Sequence, residues 1–282
     1  MTTEVEDRDM ESDGFDYHRY CVENRIDELF GIEVDATSFD AKVWPPYAKV
    51  DPENLVPSPP ELGDLVRLHQ LVRSRRVTTV LEFGVGMSTR VLAHALHQNR
   101  HEFGDFVAEN LRRSNPFELH SVDASPQWIE TCQRDFPTEL LERVTFNQSD
   151  VAMASFNGRA CTLYDQLPNI CPDLIYLDGP DQYAASGDVQ GISTRHADRL
   201  PMSADILVLE PFLLPGTFVL VDGRTANARF LKHNLQGGWR HEHRVKEDVH
   251  TFELVEPPLG VYNERQIRFC LGEDWRGLPA SG

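Results

Sequence analysis

From Thr78 to Leu96 the chain reads "TTVLEFGVGMSTRVLAHAL": an apolar run, a turn with glycines at 84 and 86, then apolar residues at helical spacing. That order recurs along the chain. "ELHSVD" (118–123) reads as a second strand, followed by "SPQWIETCQRDF", with Ser125 as a helix cap and Pro126 at the first helical position. "RVTFNQSD" (143–150) and "DLIYLD" (173–178) read as further strands, the latter an apolar run suited to a strand covered on both faces. "SADILVLEPFL" predicts a helix ending at Pro215-Gly216, "TFVLVD" (217–222) a fifth strand, and 226–235 another helix. "RHEHRVKED" and "VHTFELVE" predict a closing antiparallel hairpin. A helix over 62–72 precedes it all. Alternation of this kind has few solutions. It predicts a doubly wound, Rossmann-like α/β sheet, mostly parallel, with an antiparallel hairpin at its C-terminal end.

The flanks read differently. Residues 1–57 comprise an acidic, polar tail, unlike a secretory or mitochondrial leader, and a proline-rich lead or lid. Within them "FDYHRYCVENRIDELF" (15–30) predicts one amphipathic helix. Trp44 would either stack over a ligand as part of a lid or anchor the lead to the core. The regular domain is expected over 58–262, with 263–282 as a C-terminal tail. Between Gly86 and Asp123 the chain is longer than the roughly 20 residues usual from such a turn to its acid. The excess, 98–117, is polar and predicts an extended helix plus a loop insertion, a candidate partner surface.

Charge and composition narrow the partners. The formal net charge of −18 repels phosphate backbones, so nucleic acid is not an expected partner. No run reaches the roughly 18–20 apolar residues of a membrane helix, so no membrane is expected either. Five scattered cysteines without a CxxC pair suggest neither a disulfide framework nor a zinc knuckle, and fit a cytoplasmic protein with reduced thiols. Two basic clusters, "RSRR" (73–76) and "LRR" (111–113), read as solvated helix ends where cations complement the helix dipole. His241, His243 and His250 read as an exposed strand face.

Four strands end on, or beside, an acid: Asp123, Asp150, Asp178 and Asp222. In open α/β sheets, ligands bind at the carboxyl ends of strands, so these acids describe a site. Gly84 and Gly86 allow a tight strand-to-helix turn and close approach of a ligand, and Ser88 or Thr89 could cap the helix that follows. Thr89 stands where a dinucleotide fingerprint has its third glycine, and Glu82 precedes the turn by two positions. A carboxylate there repels a pyrophosphate and favours a cationic ligand.

Taken together, "VLEFGVGMST", "LHSVDAS", "NQSDVA", "PDLIYLDGPDQY" and "LLPGTFVLVDG" resemble the motifs of class I S-adenosylmethionine-dependent methyltransferases, in order, over roughly 58–256. The last motifs are most like those of small-molecule O-methyltransferases of the catechol or sugar-tailoring kind. The resemblance implies that Glu82, Gly84, Gly86, Ser88, Asp123, Asp150 and Asp178 surround S-adenosyl-L-methionine, with Asp123 on the ribose hydroxyls and Asp150 near the adenine amino group. Two routes to the acceptor hydroxyl stay open. One is a divalent ion of the Mg2+ type on Asp178 and Asp222, although Gly223 at the third ligand position offers no side chain. The other is a protein base, His196, with Asp181 orienting it or binding a substrate hydroxyl. The resulting expectation is O-methylation of a small hydroxylated molecule such as a sugar or polyol, with room for a homo-oligomer. The alternatives are an NAD(P)-dependent Rossmann oxidoreductase and a non-catalytic methyltransferase-like partner protein.

Overall fold

A computed structural model describes residues 15–39 and 61–278. The acidic tail, the proline-rich lead and Trp44 lie outside the described residues. Five strands, β1 (Thr79–Phe83), β2 (Glu118–Asp123), β3 (Val144–Gln148), β6 (Leu174–Leu177) and β7 (Phe218–Asp222), run parallel. The hairpin of β8 (Trp239–Arg244) and β9 (Val249–Leu254) joins them antiparallel through β9. Across the seven-stranded sheet the order is β3-β2-β1-β6-β7-β9-β8. This is the expected doubly wound sheet, in which β9 alone runs against the other six strands.

Period-two alternation fills both faces. Leu81, Phe83, Ile175, Leu177, Val219 and Val221 point into one core, under α7 (Asp205–Leu209) and α8 (Thr225–Asn234). Val80, Leu119, Leu174 and Tyr176 face the other, against α3 (Leu62–Ser74) and α4 (Met87–Asn110). Helices on both faces explain why β1 and β6 carry no exposed residue. No helix among the described residues is long and apolar enough to cross a membrane. All five cysteines are free.

Several elements differ from the sequence reading, each for a local reason. The helix expected over 15–30 is two, α1 (Tyr17–Glu23) and α2 (Ile26–Phe30), because Arg25 adopts a left-handed backbone with φ 58°. Helix α4 continues past 97 to Asn110 and the chain then loops to β2, so the polar excess is an extended helix plus loop, as expected. Residues 151–164 form an unexpected antiparallel pair, β4 (Val151–Phe156) and β5 (Arg159–Tyr164). Its two-residue turn, Asn157-Gly158, has positive φ at both positions, the type I′ geometry that matches strand twist. Beyond 260, α9 (Val261–Leu271) buries Ile267 and Phe269 where only a tail was expected.

The basic clusters are solvated ends only in part: Arg76 and Arg112 are exposed, while members of both clusters are engaged. Arg75 reaches Glu253 at 2.8 Å and lies over the Phe218 ring, and Arg76 bonds the carbonyl of Phe269. Arg113 is buried against Asp173. The histidines of the last hairpin are not a uniformly exposed face either: His250 is 2% exposed, stacks on His243, and bonds His241 and Thr225. It sits opposite Val221, one residue from the end of β7.

Candidate functional site

The chain leaves β1 toward β2 on one side and returns to β6 on the other, so the sheet reverses its winding between β1 and β6. Crevices at the carboxyl ends of such strand pairs are where doubly wound sheets bind ligands. Here the two strand ends nearly touch. The Gly84 N–H donates to the Val122 carbonyl and the Asp178 N–H to the Phe83 carbonyl, both at 2.9 Å. Gly84 has φ +94°, and a Cβ on it would lie 2.8 Å from the Asp178 carbonyl oxygen. Only glycine fits. Gly86 is different: its extended backbone suits any residue, and a Cβ there would meet nothing nearer than Ser88 Oγ at 3.9 Å. Leaving it bare keeps open the space in front of the first turn of α4. The Gly86 N–H donates to Thr89 Oγ1 at 2.9 Å, so Thr89 closes the turn, whereas Ser88 faces inward.

Beneath the turn lies Glu82, with no exposed surface. Strand register sets it in a row between Ser121 and Tyr176 on the α4 side of the sheet. Ser88 Oγ donates to its Oε1 at 2.6 Å and Ser121 Oγ to its Oε2 at 2.5 Å. Among the described residues no arginine, lysine or histidine pairs with it. Burial pushes its carboxyl up to about 7, with the hydroxyls of Ser121, Ser88 and Thr89 opposing the rise.

Asp123 ends β2 beside the same turn. Its Oδ2 accepts the Val85 N–H at 3.0 Å and its Oδ1 the Ser125 N–H at 2.8 Å, while burial raises its pKa against these bonds. Trp128, on α5 (Pro126–Arg134), donates its indole N–H to the Val85 carbonyl and so braces the turn from outside. Asp150 is exposed at the corner between β3 and β4, accepting from Gln148 Nε2 at 3.0 Å. Hairpin β4–β5 brings in a residue the sequence did not mark, Tyr164. Its ring stacks on Phe83 with centroids 5.8 Å apart, and its buried hydroxyl has no partner among the described residues. The phenol lies within electrostatic reach of Asp123 and Asp178.

Asp178 and Asp222 end the neighbouring strands β6 and β7, but each is engaged by a protein donor. Arg224 places Nε 3.3 Å from Asp178 Oδ1 and also bonds the carbonyls of Asp178 and Pro180. The Tyr176 hydroxyl donates to Asp222 Oδ2 at 2.5 Å. Packing around Asp178 raises its pKa and Arg224 opposes this, in a side chain that keeps 53% of its surface open and is moderated by that water. The two carboxylates do not fit a shared Mg2+-type ion. A guanidinium stands beside one, a phenol holds the other, Gly223 adds no donor, and no cluster of three metal-binding side chains exists among the described residues. Arg224, two residues beyond Asp222, pairs with Asp178 across the strand ends.

Asp181 and His196 occupy two exposed loops joined by a bond from Gln182 Nε2 to the His196 carbonyl, 3.2 Å. Asp181 Oδ1 accepts the Tyr183 N–H at 2.7 Å. His196 Nδ1 accepts the Asp198 N–H at 3.1 Å.

No family model matches the chain, and no curated protein matches it. Among solved structures, it is similar to the methyltransferase PaMTH1 of Podospora anserina with S-adenosylhomocysteine bound (12% identity, 83% of this chain and 87% of that one, TM-score 0.40). It is likewise similar to the O-methyltransferase TomG of Streptomyces achromogenes in complex with S-adenosylmethionine (14%, 84% and 89%, 0.36). A third is an O-methyltransferase of Bacillus cereus in complex with S-adenosylhomocysteine (12%, 84% and 90%, 0.35). At TM-scores below 0.5 these likenesses add nothing to what the strand order already establishes.

Proposed function

We propose that the chain is an S-adenosylmethionine-dependent O-methyltransferase that acts on a small hydroxylated molecule, such as a sugar or polyol, without a divalent metal. The observation that carries this reading is Glu82: a fully buried carboxylate with hydroxyl partners Ser88, Ser121 and Thr89 and no cation among the described residues, directly under a bare glycine turn at the switch point of the sheet. A protein isolates a carboxylate in this way at a cost in stability, and a cationic ligand above the turn would offset that cost. A pyrophosphate would add to it, which disfavours a nicotinamide dinucleotide.

When bound, S-adenosylmethionine supplies a methyl group on a sulfonium. The chain's own residues divide the work of holding it. Gly84 and Gly86 admit its amino-acid end to the turn, and Ser88 couples that surface to Glu82 below. Asp123, whose oxygens keep lone pairs beyond the two backbone bonds, accepts the ribose hydroxyls. Asp150 accepts from the adenine amino group, and the free Tyr164 hydroxyl offers a further donor to the same ligand.

On the acceptor side, the tautomer matters. With Nδ1 accepting the Asp198 N–H, neutral His196 carries its proton on Nε2, so its open nitrogen is a donor. Asp181 Oδ2 has no partner among the described residues and is the better proton acceptor for a sugar hydroxyl, with His196 donating to a neighbouring oxygen. Arg224 stands beside Asp178 where a metal-dependent relative would keep an ion, and supplies a fixed positive charge near the acceptor. The acidic surface argues against nucleic acid as acceptor.

Calorimetric titration with S-adenosylhomocysteine, followed by an acceptor screen that starts from sugars, tests the proposal. Micromolar binding that is unchanged by a chelator is expected. Absence of binding would sink the methyltransferase reading, and methyl transfer only to nitrogen would sink the acceptor class.

A further inference from the structure

Strands β1 and β6 have a second end, and a cleft of ≈ 500 Å³ opens there beside Thr79, where β1 begins. It lies roughly 17 Å from the glycine turn, five residues along an extended strand. A ligand in the cleft is therefore neither the methyl donor nor its acceptor. The volume falls within the range occupied by small-molecule sites.

We propose that this cleft binds a small carboxylate carrying an aromatic body. Charge is the first reason. The chain has 45 acidic residues and a net charge of −18, yet none of the residues lining the cleft is acidic, and two are arginines. Arg113 is only 6% exposed and is committed to Asp173 at 2.5 Å, to Thr79 Oγ1 and to the Cys171 carbonyl, although its buried Nε has no acceptor. Arg112 has no carboxylate partner among the described residues, and its guanidinium lies 5.3 Å from the centroid of the Tyr262 ring. A guanidinium seated on an aromatic face keeps its N–H edge available, the geometry that grips a planar carboxylate through two parallel bonds.

The walls supply the second reason. Phe212 is 76% exposed, Leu259 67% and Tyr262 55%, and all three line the same cleft. An apolar wall beside a cation with no carboxylate partner among the described residues selects an amphiphilic anion. A neutral analogue would leave Arg112 unanswered, and a bare anion would leave the wall wet. The arginine comes from the loop that ends the polar stretch 98–117, so the surface that the sequence marked as a partner site is here assigned a small ligand.

Titrating the full-length chain with 3-phenylpropionate, by calorimetry, tests this. Saturable binding with a Kd of about 1 mM or tighter is expected for a ligand of this size. The neutral 3-phenylpropanamide and inorganic phosphate should each bind at least about tenfold more weakly, and Arg112→Gln should cost about tenfold or more without changing the melting temperature. Tyr262→Ala should weaken binding as well, whereas Asp123→Asn should not, which separates this site from the proposed donor site. Lack of saturation by ~10 mM, equal binding of the amide, or indifference to Arg112→Gln would overturn the proposal. Phosphate binding as tightly as the arylalkyl acid would overturn the ligand class.

Discussion

Glu82 and Asp173 are buried carboxylates at opposite ends of the same pair of strands, and the fold treats them in opposite ways. Asp173, just before β6, accepts the Thr78 N–H and hydroxyl at 2.6 Å each, Gln266 Nε2 at 2.9 Å and the Arg113 guanidinium at 2.5 Å. Its charge is answered entirely from within. Glu82, near the end of β1, meets the hydroxyls of Ser88, Ser121 and Thr89 and no cation among the described residues, and burial pushes its pKa up to about 7. At one end the fold uses an acid to tie elements together. At the other it keeps a hydrogen-bonded acid without a counter-charge among the described residues beneath a glycine turn, an arrangement that a cationic ligand completes.

The contrast can be broken most forcefully at Asp173. Replacing it with Asn leaves Arg113 buried without a counter-charge, and a loss of roughly 3–5 kcal/mol in unfolding free energy is expected. Denaturant melts would measure it, and a loss below about 1 kcal/mol would mean that Asp173 is not the structural partner described.

At Glu82 the effect depends on pH. Its folded pKa lies above the unfolded value, so its stabilising contribution is complete below about 4.5, declines as pH rises toward 7, and is lost above that. A shift from 4.5 to about 7 corresponds to ~3 kcal/mol at about 1.4 kcal/mol per unit. Glu82→Gln should therefore match the parent near pH 4.5 and exceed its stability at pH 8. Melting temperatures of ligand-free protein at both values check this, and parallel curves would contradict the burial argument.

Asp123→Asn sharpens the same comparison from the ligand's side. It keeps one acceptor oxygen for the Val85 and Ser125 amides, turns an NH2 donor toward the other and loses the charge, and S-adenosylhomocysteine affinity should fall by about tenfold or more. The smallest effect belongs to Tyr164→Phe. Removing a buried hydroxyl without a partner should raise ligand-free stability by up to ~1 kcal/mol while weakening the ligand a few-fold. A variant less stable than the parent would show that the hydroxyl is already satisfied.

What the sequence revealed follows from the range of the interactions involved. Strands such as "DLIYLD" and the turn at Gly84 and Gly86 announce themselves through neighbours within a few residues, and they stand where they were read. The hairpin β4–β5 left only one local signal, the Asn157-Gly158 turn, because Ala152, Ala154 and Ala160 dilute the apolar alternation around it. Glu82 was conspicuous, but its state depends on Ser121, 39 residues away, which only strand register brings alongside. Arg224 beside Asp178 spans 46 residues and Arg113 beside Asp173 spans 60 by their numbers, so neither pairing leaves a local trace. Tyr164 was invisible for the same reason, because it reaches the site only through a hairpin the pattern hid.

The central claim is that Glu82 waits for a cation. Titration of S-adenosylmethionine into the full-length chain at pH 6 and pH 8 tests it most directly. With a ligand-free pKa of about 7, ionisation should make binding about tenfold tighter at pH 8, and Glu82→Gln should abolish that difference. Binding of equal strength at both values, or none at either, would contradict the account.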